Sequence, residues 1–168
     1  MVGVAPNAVY RHFADRDELL AAVCTAAMGE LAARMTAGVA RVRGKHGDVA
    51  AAGRRLRAIG VAYLEFARKE PGLFATAFAL PQQHAYAAPG RGTGRDRMPL
   101  DQLRAVLDEL VDAGVLHRRR RDGIEYPIWS AVHGLAMLAG QGPLRDIPDA
   151  GRQRLEKLTF AFIDAGLA

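Results

Sequence analysis

Cysteine is almost missing from this chain. Cys24 is the one cysteine in 168 residues, so an internal disulfide and a thiolate metal cluster are both excluded. It lies on the apolar side of a helical stretch and reads as a small buried hydrophobe rather than a redox sensor. Aromatic residues make up only 7%, and alternation of β-branched and aromatic residues is scarce, which argues against a sheet sandwich. No hydrophobic segment follows a basic start and no apolar run approaches a membrane span, so a soluble, cytoplasmic chain is expected. The five histidines are scattered, with no His-Glu-x-x-His and no acidic or histidine pair at ligand spacing. Neither a metal nor a cofactor is therefore expected. No Gly-x-Ser-x-Gly elbow and no Ser/His/Asp arrangement stands out, so the expectation is that the chain is not an enzyme.

What is present is apolar and basic. Half the residues are hydrophobic and the formal net charge is +5, with a pI near 9.9. Such a balance is compatible with phosphate-bearing partners. The length suits one well-buried domain, or a small head on a larger body. Abundant Ala and Gly favour closely packed helices.

The chain is organised around Gly3-Val4-Ala5-Pro6-Asn7-Ala8-Val9-Tyr10-Arg11-His12-Phe13-Ala14-Asp15-Arg16-Asp17-Glu18-Leu19-Leu20. Pro6 suits the first position of a helix. Val9 and Phe13, four apart, give that short helix one apolar side. Asp15 is placed to cap a second helix, with Asp17 and Glu18 in its first turn, where the macrodipole favours negative charge. A short helix, a tight turn and a long amphipathic helix is how a recognition helix is presented to a DNA groove.

These residues resemble the end of the helix-turn-helix of the TetR family of transcriptional regulators. The resemblance implies an all-α, TetR-like helical bundle. It implies a DNA-reading part over residues 1–42, including the linking helix, and a ligand-binding and dimerisation body over 43–168. It places Pro6, Asn7, Ala8 and Arg11 on the helix that enters the major groove, and Tyr10, His12 and Arg16 on phosphates. Ala5 stands where the family usually has Ser or Thr, and Arg16 where it usually has Lys. The family's first helix and most of its second, some forty residues, are expected ahead of Gly3. The chain as written is accordingly expected to bind operator DNA weakly. The alternative from another class is a ligand-binding and dimerisation module that has lost DNA binding.

Further along, Leu20, Val23, Ala27, Leu31, Met35, Val39 and Val42 hold helical spacing up to the breaker Gly44-Lys45-His46-Gly47. Asp48 looks like the cap of the next helix, whose apolar face is Val49, Ala52, Leu56, Ile59, Tyr63 and Phe66. Arg54, Arg55, Arg57 and Arg68 occupy its remaining faces. Pro71 can restart a short helix through Phe74 and Phe78. Residues 81–98 read as a loop, and Gly90-Arg91-Gly92-Thr93-Gly94 within it lacks the strand and lysine of a phosphate-cradling loop. Leu103, Val106, Leu107, Leu110, Val111 and Leu116 define another helix and its exit. Arg118-Arg119-Arg120-Arg121 is either a solvated basic turn or a nucleic-acid patch.

Residues 126–140 are apolar nearly all round, so that helix needs cover on several sides. A second copy of the chain is the expected cover, giving a homodimer through residues 126–140 and 149–166. Trp129, His133 and Gly134 are spaced like the Trp-His-Gly signature of one TetR body subtype. A last helix, from about Pro148 to Ala165, carries the stripe Leu155, Leu158, Phe162 and Ala165. Tyr63, Phe66, Phe74, Phe78, Trp129 and His133 are candidates for an apolar effector pocket. The same aromatics are also what plain core would use, and His133 also fits a hydrogen-bonded core histidine. The function implied by resemblance is a repressor that a small hydrophobic effector releases from its operator.

Overall fold

The computed structural model describes residues 15–78 and 98–167. Among them are six α-helices, one 3-10 turn and no strand. The helices are α1 (Arg16–Ala40), α2 (Val49–Lys69), α3 (Pro71–Ala77), α4 (Pro99–Asp112), α5 (Glu125–Gly140) and α6 (Asp149–Leu167). The all-helical expectation is met. The segment Pro6–His12 and residues 81–97 of the expected loop 81–98 lie outside the described residues.

Local chemistry explains most boundaries. The Asp15 carboxylate accepts from the Glu18 N–H at 2.8 Å and starts α1. The Asp48 carboxylate does the same for α2, accepting from the Ala51 N–H at 2.7 Å. Such caps satisfy donors that the helix itself leaves orphaned. Prolines open α3 and α4 at positions where no N–H is needed. Pro99, directly after the expected loop 81–98, is thus already helix. α1 ends at Ala40, short of the expected Val42. The chain then turns through Gly44 and Gly47, both with positive φ.

α2 is the central helix, packed against α1, α3, α4 and α5. Its buried face, including Ala52, Leu56, Ile59, Tyr63 and Phe66, follows the expected stripe. The exception is Val49, at the first turn, which is 59% exposed. α1 buries Cys24, Ala27, Met28, Leu31, Ala32 and Met35, and Val23 turns outward. By length and composition α1 is apolar enough to cross a membrane, which corrects the expectation that no run approaches a span. In the fold that apolar side packs on α2, α3 and α4.

Two polar networks hold the helix ends. Arg55, on α2, pairs with the buried Glu109 of α4 and donates to the carbonyls of Gly44 and Lys45. His46 reaches Asp112 at 3.3 Å, so the α1–α2 corner is tied to α4. At the other end of α4, Glu125 is buried between Arg104 and Arg121, each at 3.0 Å. Burial alone would raise the pKa of Glu125. A backbone hydrogen bond and the two guanidinium partners outweigh burial and lower it. Arg121 also reaches Asp108 at 2.6 Å, and Arg120 donates to the Gly166 carbonyl. The four-arginine run is therefore neither a uniform solvated turn nor a uniform patch, because two of its members are built into the fold.

The expected stripe of the last helix is corrected as a core face. α6 buries Phe160, Ile163 and Leu167, while Leu158 and Phe162 are 56% and 70% exposed. Both sets repeat at helical spacing, and only the docking of α6 on its neighbours decides between them.

The Arg55–Glu109 pair supplies a stability prediction. Glu109→Ala leaves a guanidinium that is 12% exposed without its carboxylate, which should cost about 3 kcal/mol. A thermal melt should show a fall of about 6–12 °C for a chain of this size.

Candidate functional site

Between α1, α2, α4, α5 and α6 lies a partly open void of about 60 Å³, within a cleft of about 820 Å³ when space open to solvent is included. Its walls carry Met28 and Met35 from α1, Leu56, Ile59, Gly60 and Tyr63 from α2, and Leu100 and Leu103 from α4. Ile128, Trp129 and Val132 of α5, with Phe160 and Ile163 of α6, complete most of the lining, and Phe78 and Met98 face it where the described chain stops and resumes. Among the described residues, those of the lining with polar side-chain groups are Tyr63, Trp129, Arg57 and Asp164.

Gly60 makes the α2–α6 crossing possible. A Cβ at that position would stand 2.4 Å from the edge of the Phe160 ring, far inside van der Waals contact. The bare backbone lets the ring lie on α2. Arg57, one turn earlier, then holds its guanidinium 4.8 Å from the centre of the same ring. Its Nη2 lies 3.6 Å from the Asp164 carboxylate, with both side chains about half exposed.

Beside the void, Tyr63 joins the α2 and α5 side chains. The Trp129 N–H donates to the Tyr63 hydroxyl oxygen at 3.2 Å. The phenol and His133 Nδ1 are 2.7 Å apart. Indole can only donate, which leaves the phenol proton for an unprotonated Nδ1. Burial lowers the His133 pKa and favours that neutral ring. Aromatic packing surrounds the trio. Phe78 lies 4.7 Å from His133 and 5.0 Å from Phe74 by ring centroids, and Phe74 meets Tyr63 edge-on at 5.6 Å.

All six side chains expected near an effector pocket therefore lie in one cluster. Tyr63, Phe78 and Trp129 line the void. Phe66, fully buried, and Phe74, 3% exposed, stand with His133 in the packing beside it. Of the seven residues expected on DNA, Pro6, Asn7, Ala8, Tyr10, Arg11 and His12 lie outside the described residues, and Arg16 is the first residue of α1. Sequence reasoning missed Arg57, Asp164 and the methionines. A signal for Arg57 was available, since Arg57, Gly60 and Tyr63 recur at three-residue spacing along one side of α2.

A family model described as "Tetracyclin repressor-like, C-terminal domain" matches residues 56–162. No match was found among curated proteins. A solved structure titled "Structure of a protein with unknown function from Rhodococcus sp. RHA1" superposes with a TM-score of 0.71 at 24% identity. The alignment covers 99% of this chain and 80% of that one. At that identity the likeness bears on the fold.

The hydrogen-bonded trio predicts a pH effect. A neutral His133 in the folded state must bind a proton on unfolding once the pH drops below the ordinary value of 6.5. Its contribution to stability is thus present above 6.5 and lost as the pH falls from there toward the lowered folded value. An NMR titration of the His133 ring should show a midpoint below 6.5, and His133→Gln should flatten the acid side of the stability profile. Tyr63→Phe should cost about 1–3 kcal/mol at neutral pH by removing the hydroxyl that the indole N–H and Nδ1 both meet.

Proposed function

The chain belongs to the tetracyclin repressor-like family by its C-terminal domain, and from that membership we propose that it is a DNA-binding transcriptional regulator, acting as a repressor released by a small hydrophobic effector. The observation that carries the reading is the apolar void beside Tyr63, Trp129 and His133, lined mostly by residues of the matched span. A pocket with an apolar wall and a few convergent polar groups is what a small ligand requires. Residues 1–42 form the DNA-reading part in this reading and 43–168 the body. By resemblance, Pro6, Asn7, Ala8 and Arg11 face the major groove, and Tyr10, His12 and Arg16 face phosphates.

The active species is a homodimer through residues 126–140 and 149–166. Two observations support it. α5 exposes Met137 and Leu138, and α6 exposes Leu158 and Phe162. A Cβ added at Gly134 would meet nothing within 4 Å, so a partner helix can approach closely there. A stable interface should bury more than about 1,000 Å² in total. The dimer would set two recognition helices one turn of DNA apart, roughly 34–36 Å. An effector that prefers another head spacing then releases the operator by differential affinity.

Light scattering should report a dimer, and Gly134→Arg should give monomer or aggregate; a wild-type monomer at micromolar concentration defeats the interface. In a gel-shift titration against DNA flanking its gene, the chain as written should give weak, salt-sensitive retardation that favours its operator over unrelated DNA. Tyr10→Phe should weaken binding to all sequences, whereas changes at Asn7 or Arg11 should alter preference. Binding with no sequence preference would overturn the regulator reading.

A further inference from the structure

Among the described residues, the charged groups that line the void are Arg57 and Asp164, at its rim. Their pairing is loose. At 3.6 Å it is beyond ordinary hydrogen-bond length, and the side chains are 49% and 64% exposed. Exposed pairs of this kind contribute little and exchange partners readily. Arg57 nevertheless has a defined place, because its guanidinium rests over the Phe160 ring. Its fork of donors makes no hydrogen bond to another described residue.

We propose that this cavity takes an amphipathic carboxylate, its apolar body in the void and its anionic head on Arg57. The proposal rests on the effector reading above and adds the head-group chemistry. A carboxylate can meet the guanidinium with two parallel hydrogen bonds and displace Asp164, which offers one long contact. An ammonium head would have to take Asp164 while Arg57 stays on its ring beside it, and like charges would repel. A neutral head leaves the existing pair as it is and gains nothing from it. The volume of the void, about 60 Å³, is smaller than the roughly 150 Å³ that admits benzene. The body therefore has to displace side chains, and Met28, Met35 and Met98 in the lining are the kind that repack most easily.

The experiment is calorimetric titration of the whole chain with sodium octanoate, 1-octanol and octylamine. Wild type is compared with Arg57→Gln and Asp164→Asn, and each variant's fold is checked by melting. Wild type should bind octanoate about tenfold or more tighter than either other probe. Arg57→Gln should abolish that preference. Asp164→Asn should bind octanoate several-fold tighter, because the internal competitor for Arg57 is gone. A purely structural ion pair would move affinity down in both variants. If Arg57→Gln fails to fold, the Asp164→Asn result decides alone. Equal binding of octanol and octanoate by wild type, or unchanged or weaker octanoate binding by Asp164→Asn, overturns the head-group assignment and leaves the effector cavity standing. Failure of all three probes to bind overturns both.

Discussion

Removing one side chain from the middle of α2 decides how the last helix docks. At Gly60 the backbone is bare, and the Phe160 ring occupies the space a Cβ would claim. That contact brings α6 against α2, so Ile163 and Asp164 reach the wall of the void. It also gives Arg57 an aromatic surface to rest on. Without the notch the ring would be pushed off α2, and the void would lose its α6 side together with the charged rim. Close packing transmits such local changes because interiors have little free volume to absorb them.

The polar hub beside the void solves a different problem. Aromatic packing around Tyr63, Trp129 and His133 removes water from groups that lose several kcal/mol if left unpaired. Pairing them with one another offsets that cost and fixes the orientation of each ring. The result is a wall with a defined shape on the α5 side, facing methionines on the α1 side. One side of the cavity is thus stiff and the other adaptable, and the two are built from different chemistry.

Legibility in the sequence followed how local the cause was. Asp15, Asp48 and Pro71 act on their own first turns, and each could be read without tertiary information. The α2 face was legible because its opposite side is crowded with arginines. α6 was not, because Leu158 and Phe162 match Phe160 and Ile163 in hydrophobicity, and a helix with two apolar faces does not declare which one is inside. The six aromatic-cluster residues were legible as a group; which of them face the void depends on helix docking. Arg57 and Asp164, about one hundred residues apart in sequence, meet only through the Gly60 crossing. Arg121 was misjudged for a similar reason, since Asp108 and Glu125 come to it from two different helices.

The tethered corner after α1 carries a mechanical consequence. Arg55 and His46 tie residues 44–46 to α2 and α4, while α1 runs from Arg16 to Ala40 as one uninterrupted rod. At about 1.5 Å per residue, Met35 sits roughly 9 Å from a fulcrum at Arg41, and Arg16 roughly 37 Å from it. The lever ratio is about four. A sideways shift of about 1 Å where Met35 faces the void becomes about 4 Å at the far tip of the rod.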